Sequence, residues 1–142
     1  MILLPDPLPR DILDVQLSPS LSAKDALGVL SRHVRETAAL DTLPGLCIAR
    51  DVAYGPGAQQ RMDIATPQGA DAVPSQVFVH GGFWQEGGKV GSGFAAAAFT
   101  SAGWAHVGIG YTLAPEARLA EIVAELAEPD STVFRTILEM AT

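Results

Sequence analysis

Apolar positions along the chain change period several times, and each change marks an element. Ala23, Ala26, Leu27, Leu30, Val34 and Ala38 recur at helical spacing, with Lys24, Arg32, Arg35 and Glu36 filling much of the remainder. An amphipathic helix is predicted from about Ala23 to Leu40, ended near Pro44-Gly45. Ser22 stands three residues before Asp25, the spacing of a capping box with Asp in place of Glu. From Leu46 to Tyr54 the pattern turns to imperfect alternation, Ile48, Val52 and Tyr54 against Arg50 and Asp51. After Gly55-Pro56-Gly57 it alternates again over Arg61-Met62-Asp63-Ile64-Ala65, so two strands joined as a hairpin are predicted. Pro67 to Pro74 reads as a surface loop. Gln76 to His80 is a third strand. Phe94 to Ser101 is a short alanine-rich helix, closed by Gly103. Ala105 to Tyr111 is a fourth, buried strand, whose Gly108 and Gly110 suggest close approach of another backbone. Leu119, Ile122, Val123 and Leu126 fall on one side of a helix that Pro129 stops, and Ser131 to Met140 is a plausible terminal helix.

The order is helix, hairpin, strand, helix, strand, helix. Two strands separated by a helix pair in parallel through a right-handed crossover. The fold class is therefore α/β, a layered sheet opened by an antiparallel hairpin. Three segments follow: an extended arm over 1–22, carrying Pro5, Pro7 and Pro9; a sheet-containing body over 23–128; and a tail over 129–142.

The most informative stretch is Gln76-Val77-Phe78-Val79-His80-Gly81-Gly82-Phe83-Trp84. A buried strand runs directly into two glycines, which can take backbone angles other residues avoid and leave N–H groups bare. Bare N–H groups at a strand end suit a developing negative charge. A strand followed by a tight turn is the alternative reading. The Gly-rich segment that follows is not a phosphate loop: Val90 stands where Ser or Thr should follow Lys89, and no glycine stands five positions before Gly88. His33 lies on the first helix beside charged neighbours and reads as solvated.

Composition narrows the function. The chain has 142 residues, 48% of them hydrophobic, enough for a core. Its nine Lys and Arg are scattered and its net charge is −7, so nucleic acid is not an expected partner. No stretch approaches the ~18 unbroken apolar residues of a membrane helix. The N-terminus has no basic start and too short an apolar run for a signal peptide. A single cysteine, Cys47, fits a reducing compartment. The expectation is a soluble cytoplasmic protein without a membrane partner. His33, His80, His106 and Cys47 lack metal-ligand spacing, so neither metal nor cofactor is expected.

His80-Gly81-Gly82-Phe83-Trp84 and Tyr111-Thr112-Leu113-Ala114-Pro115-Glu116, in that order and behind the hairpin Asp51-Val52-Ala53-Tyr54-Gly55 with Arg61-Met62-Asp63-Ile64, resemble the N-terminal half of the α/β-hydrolase fold. They resemble its esterase and kynurenine formamidase (arylformamidase) branch, over roughly Gln16 to Glu128. The resemblance implies a partial α/β-hydrolase sheet and a small-molecule ester or amide substrate. It implies that the N–H groups of Gly82 and Phe83 form an oxyanion hole, that His80 and Gly81 support that loop, and that Trp84 walls the substrate pocket. Simple packing is the competing reading for Trp84.

The departures are as specific. The family's nucleophile sits in Gly-x-Ser-x-Gly, and no serine here stands between glycines at that spacing. No histidine follows His106 to complete a triad. Gly110 and Thr112 replace the Asp and Arg that often flank the tyrosine. The chain is expected to carry the oxyanion half of a serine hydrolase without nucleophile or triad, as a truncated gene product or as a short paralogue that binds without turnover. Truncation is favoured, because Ser131 to Thr142 no longer resembles the family. Without a neighbouring nucleophile strand, Val77 to Val79 becomes an open edge that invites self-association.

Overall fold

The computed structural model describes residues 8–18, 21 and 23–127. It divides into two compact units, Met1–Arg32 and His33–Thr142. Among the described residues, no helix is long and apolar enough to cross a membrane.

Within the first unit, Arg10–Leu17 forms helix α1. The sequence reading placed these residues in an extended arm. The difference has a local cause: Pro9 stands at the N-cap with φ −51° and ψ 143°, and its carbonyl accepts from the Ile12 and Leu13 N–H groups. Proline is well suited to a helix start because its missing N–H is not needed there. The Ser22 half of the expected capping box and the expected terminal helix over 131–140 lie outside the described residues.

Helix α2, Ala26–Ala39, matches the expected helix but not its expected buried face. Leu27 and Leu30 are exposed, and the buried residue is Thr37. The C-terminal turns are held by polar contacts. The Thr37 hydroxyl accepts from the Gly93 N–H at 3.0 Å, and the Thr37 carbonyl accepts from Arg50 at 2.9 Å. His33, expected to be solvated, is half-buried and stacks on Phe94 with centroids 4.2 Å apart.

Four strands follow: β1 Leu46–Ala53, β2 Arg61–Pro67, β3 Ser75–Val79 and β4 Ala105–Ile109. Their order is β1-β2-β4-β3. β1 and β2 pair antiparallel, as do β2 and β4, whereas β3 pairs parallel with β4 in the register Val77 to Val107. The link from β3 to β4 runs through a 3-10 segment, Lys89–Ala95, and helix α3, Ala96–Ser101. Helix α4, Leu119–Ala127, comes last.

Side-chain alternation sends the core to both faces of the sheet. Met62, Ile64, Val107 and Ile109 point to one face, with Tyr54, and Leu126 of α4 packs against them. Each such side chain contributes about 1.5–3 kcal/mol on burial. On the other face Ala65 meets Ala96 and Leu40. The strand glycines act as the sequence suggested. A Cβ on Gly108 would lie 2.9 Å from the Ser92 Cβ, and one on Gly110 would lie 3.1 Å from the Gln59 carbonyl.

A bulge breaks the β1–β2 ladder. Arg50 and Asp51 together face the single residue Asp63, between the pairs Ala49–Ile64 and Val52–Met62. Asp51 takes a left-handed φ of 56°. The extra residue would strand its N–H, but the Asp63 carboxylate accepts it at 3.0 Å. Asp63 is itself buried and receives Arg50 and Lys89, each at 2.8 Å. Burial opposes its charge, yet the hydrogen bonds from Lys89, the Asp51 N–H and Arg50 outweigh that, holding the carboxyl below the usual carboxylate range. Burial likewise opposes the charge on Lys89 and is outweighed by Asp51 and Asp63, so its pKa is raised.

A carboxyl whose folded pKa lies below its unfolded value, about 3.9, adds stability above that pH and loses it as pH falls through the folded value. Asp63→Asn is therefore expected to cost about 1–3 kcal/mol near neutral pH, because Arg50 and Lys89 lose the carboxylate between them and keep only Asp41 and Asp51. The deficit relative to the parent should shrink as the medium is acidified below about pH 4. Denaturant unfolding followed by circular dichroism at a series of pH values checks both.

Candidate functional site

β3 delivers the chain to the loop that the sequence singled out. Past Val79, His80 is buried while Phe83 and Trp84 are each about half exposed. The turn is built differently from what Gly81-Gly82 suggests. Gly82 takes φ 122°, and a Cβ there would lie 2.0 Å from the Glu86 carbonyl oxygen, so glycine is required. Gly81 has no positive φ and nothing near its missing side chain. The left-handed conformation falls instead on Phe83 and Trp84, at φ 51° and 57°. Each such residue costs on the order of 1–2 kcal/mol, which surrounding contacts must offset.

Those contacts are present. The Gly82 carbonyl accepts from the N–H groups of Gln85 and Glu86, both at 3.0 Å. The His80 Nδ1–H donates to the Gly81 carbonyl at 2.9 Å. The His80 ring stacks on Tyr111 with centroids 4.3 Å apart and planes inclined by 11°. The Tyr111 hydroxyl donates to the His80 carbonyl at 2.8 Å, and the Ala114 N–H donates to the Trp84 carbonyl at 2.7 Å. Burial raises the Tyr111 pKa, so the hydroxyl keeps its proton. No acceptor among the described residues engages the N–H of Gly82 or Phe83. The loop thus presents unused donors, Gly82 and Phe83 among them, at the carboxyl end of a strand, where ligands bind in open α/β sheets.

A cleft of about 530 Å³ opens beside the loop. Its wall includes His80, Gln85, Lys89 and Tyr111, with Asp51 and Arg61 from the hairpin. Gly82, Phe83 and Trp84 do not line it. The structure therefore brings His80 and Gly81 into one unit with the loop, and leaves Trp84 exposed, packed in neither core nor cleft.

The histidines do not converge. His106 is 2% exposed, donates through Nε2–H to the Ser92 carbonyl at 2.8 Å, and has a lowered pKa because burial outweighs that bond. Ser92, the serine in the Gly-rich segment, is buried against Gly108 and donates to the Gly88 carbonyl. Among the described residues, no three His, Cys, Asp or Glu side chains group as a metal site. Sequence reasoning missed the anchoring of the loop by Tyr111 and the Asp63 cluster that holds Lys89 at the cleft wall. The signal for the second was present: Asp63 interrupts the apolar positions of a buried strand.

No family model matches the chain. It is 30% identical over 131 residues to a kynurenine formamidase from Danio rerio, and 31% identical over 125 residues to one from Salmo salar. Each match covers 82% of this chain but 42% of the relative, so the chain spans about two fifths of the length of these proteins. A candidate thioesterase from Silicibacter superposes with a TM-score of 0.73 at 23% identity, over 88% of this chain and 46% of that one, and shows a shared fold. Together with the sheet order and the loop after β3, these likenesses place the chain in the α/β-hydrolase superfamily, in its esterase and arylformamidase-like branch.

Proposed function

We propose that this chain is the oxyanion-bearing part of a carboxylic-ester or aryl-formamide hydrolase, and that by itself it does not turn substrate over. The observation that carries this reading is the pair of unengaged N–H groups, Gly82 and Phe83, at the carboxyl end of β3. In acyl transfer such donors face the oxygen of the tetrahedral intermediate, and losing one costs about 2.7–4 kcal/mol of transition-state stabilisation. His80 and Gly81 support the loop: the His80 ring is held by its Nδ1–H bond to the Gly81 carbonyl and by its stack on Tyr111. Trp84 stands ready to wall an acyl or leaving-group pocket. The serine that would attack is missing: no Gly-x-Ser-x-Gly occurs, and no histidine follows His106. A truncated origin is part of the reading. So is a cytoplasmic location, supported by Cys47, the chain's single cysteine, which is free and exposed.

A second reading, a non-catalytic binding or dimerisation module derived from this fold, is favoured by one observation. β3 is an edge of the sheet among the described residues, and Val79 on it is 47% exposed. No charged residue occurs from Ala72 to Gln85 to discourage pairing.

Three measurements test these readings. A fluorophosphonate probe is expected to label no serine of the purified chain, and p-nitrophenyl acetate to hydrolyse at the background rate; labelling mapped to one serine sinks the inactive-alone reading. Size-exclusion chromatography with light scattering is expected to give a mass that rises with concentration through the β3 edge. A monodisperse monomer with cooperative melting counts against the second.

A further inference from the structure

The loop after β3 is strained in its middle and tied at its two ends, and both ties come from one turn. The His80 carbonyl, immediately before Gly81, receives the Tyr111 hydroxyl at 2.8 Å. The Trp84 carbonyl receives the Ala114 N–H at 2.7 Å. Between those fixed carbonyls lie Gly81, Gly82 and Phe83, whose N–H groups no acceptor among the described residues engages. We infer that Tyr111 is the positioning residue of the Gly82–Phe83 donor pair, acting with the Ala114 N–H as a clamp that holds the left-handed Phe83-Trp84 step. This inference rests on the oxyanion reading only for what the donors face; the clamp itself is a statement about the loop.

Three features make the clamp directional. First, Tyr111 is held from behind. It is 5% exposed and packs with Ala117 and Ile122, so α4 fixes the ring and the ring fixes the loop. Second, the Tyr111 ring lies flat against His80, which leaves the hydroxyl facing the His80 carbonyl rather than free to rotate to solvent. Third, the loop has few other restraints. Gly82 bonds forward to Gln85 and Glu86, and His80 bonds to Gly81, but those bonds are internal and tie the loop to nothing outside itself. The ties to Tyr111 and Ala114 connect it to the turn after β4. A loop with two consecutive non-glycine residues at positive φ relaxes unless external contacts over-determine it.

Tyr111→Phe isolates the tie. It keeps the ring, its stack on His80 and its packing, and removes one O–H donor. Amide hydrogen exchange by NMR on the full chain reads the result at three bonded amides: Gln85 and Glu86, which report the turn, and Ala114, which reports the second tie. We expect their protection to fall at least tenfold in Tyr111→Phe, with the β2 and β4 amides changing less than threefold. Ile64→Ala, in the sheet core among Met62, Val107 and Ile109, is the control for a merely structural role, since it should lower protection across the sheet without singling out the loop. Unchanged protection at the three amides in Tyr111→Phe, or a loss equal to that of the strands, overturns the inference. A titration with phenylphosphonate, read at the Gly82 and Phe83 amide resonances of the parent chain, separates the two levels. Absence of any shift there removes the oxyanion reading, while the exchange data still decide the clamp.

Discussion

One buried carboxylate organises the region around the site. Asp63 sits in the middle of a central strand, where an isolated charge is costly. It is tolerated because three donors from separate places converge on it: Arg50 and the Asp51 N–H from the β1 bulge, and Lys89 from the start of the 3-10 segment. Arg50 reaches on to Asp41 and to the Thr37 carbonyl, so the end of α2 is bound into the same network. Arg50 loses some of its charge preference to burial, and its two carboxylate partners more than restore it. The bulge, the helix end and the Gly-rich segment therefore depend on one another.

That constraint bears on the candidate site through Lys89. The segment Lys89–Ala95 lies close over β4, at a distance that Gly108 alone permits. With Lys89 pinned, the chain leaving Glu86 and Gly87 has a fixed destination. Gly87 in turn passes against the His80 ring and the Gly81 carbonyl, with no room for a side chain. The loop is thus bounded on one side by the segment that Asp63 anchors and on the other by the Tyr111 turn. Two strained residues between rigid supports is an arrangement found where backbone N–H groups are held ready for a ligand.

Much of the architecture was legible from pattern. The hairpin and the parallel pairing of β3 with β4 follow from strand periodicity and from a helix between two apolar runs. The role of Gly108 and Gly110 was legible too, because glycine within a strand has few other reasons to be there. Helix α2 was harder. Its apolar stripe predicted a buried face, but Leu27 and Leu30 are exposed and the docking is done by Thr37. Periodicity registers which side of a helix is apolar, not which side meets a partner. The helix over Arg10–Leu17 was hidden by the prolines before it, since Pro9 starts a helix as readily as it extends a chain.

By itself the sequence determined which motifs this chain carries and which it does not. His80-Gly81-Gly82 follows an apolar strand, and Gly-x-Ser-x-Gly does not occur in these 142 residues; both are statements about residue types and local spacing. Tertiary structure decided how the loop is made. The positive φ angles fall on Phe83 and Trp84 rather than on Gly81, and the ties run to Tyr111 and Ala114, about thirty residues away. Local sequence carries no information about such ties. They exist because parallel pairing of β3 and β4 brings the ends of two strands side by side, and a strained turn beside one strand is stabilised by the donors of the other.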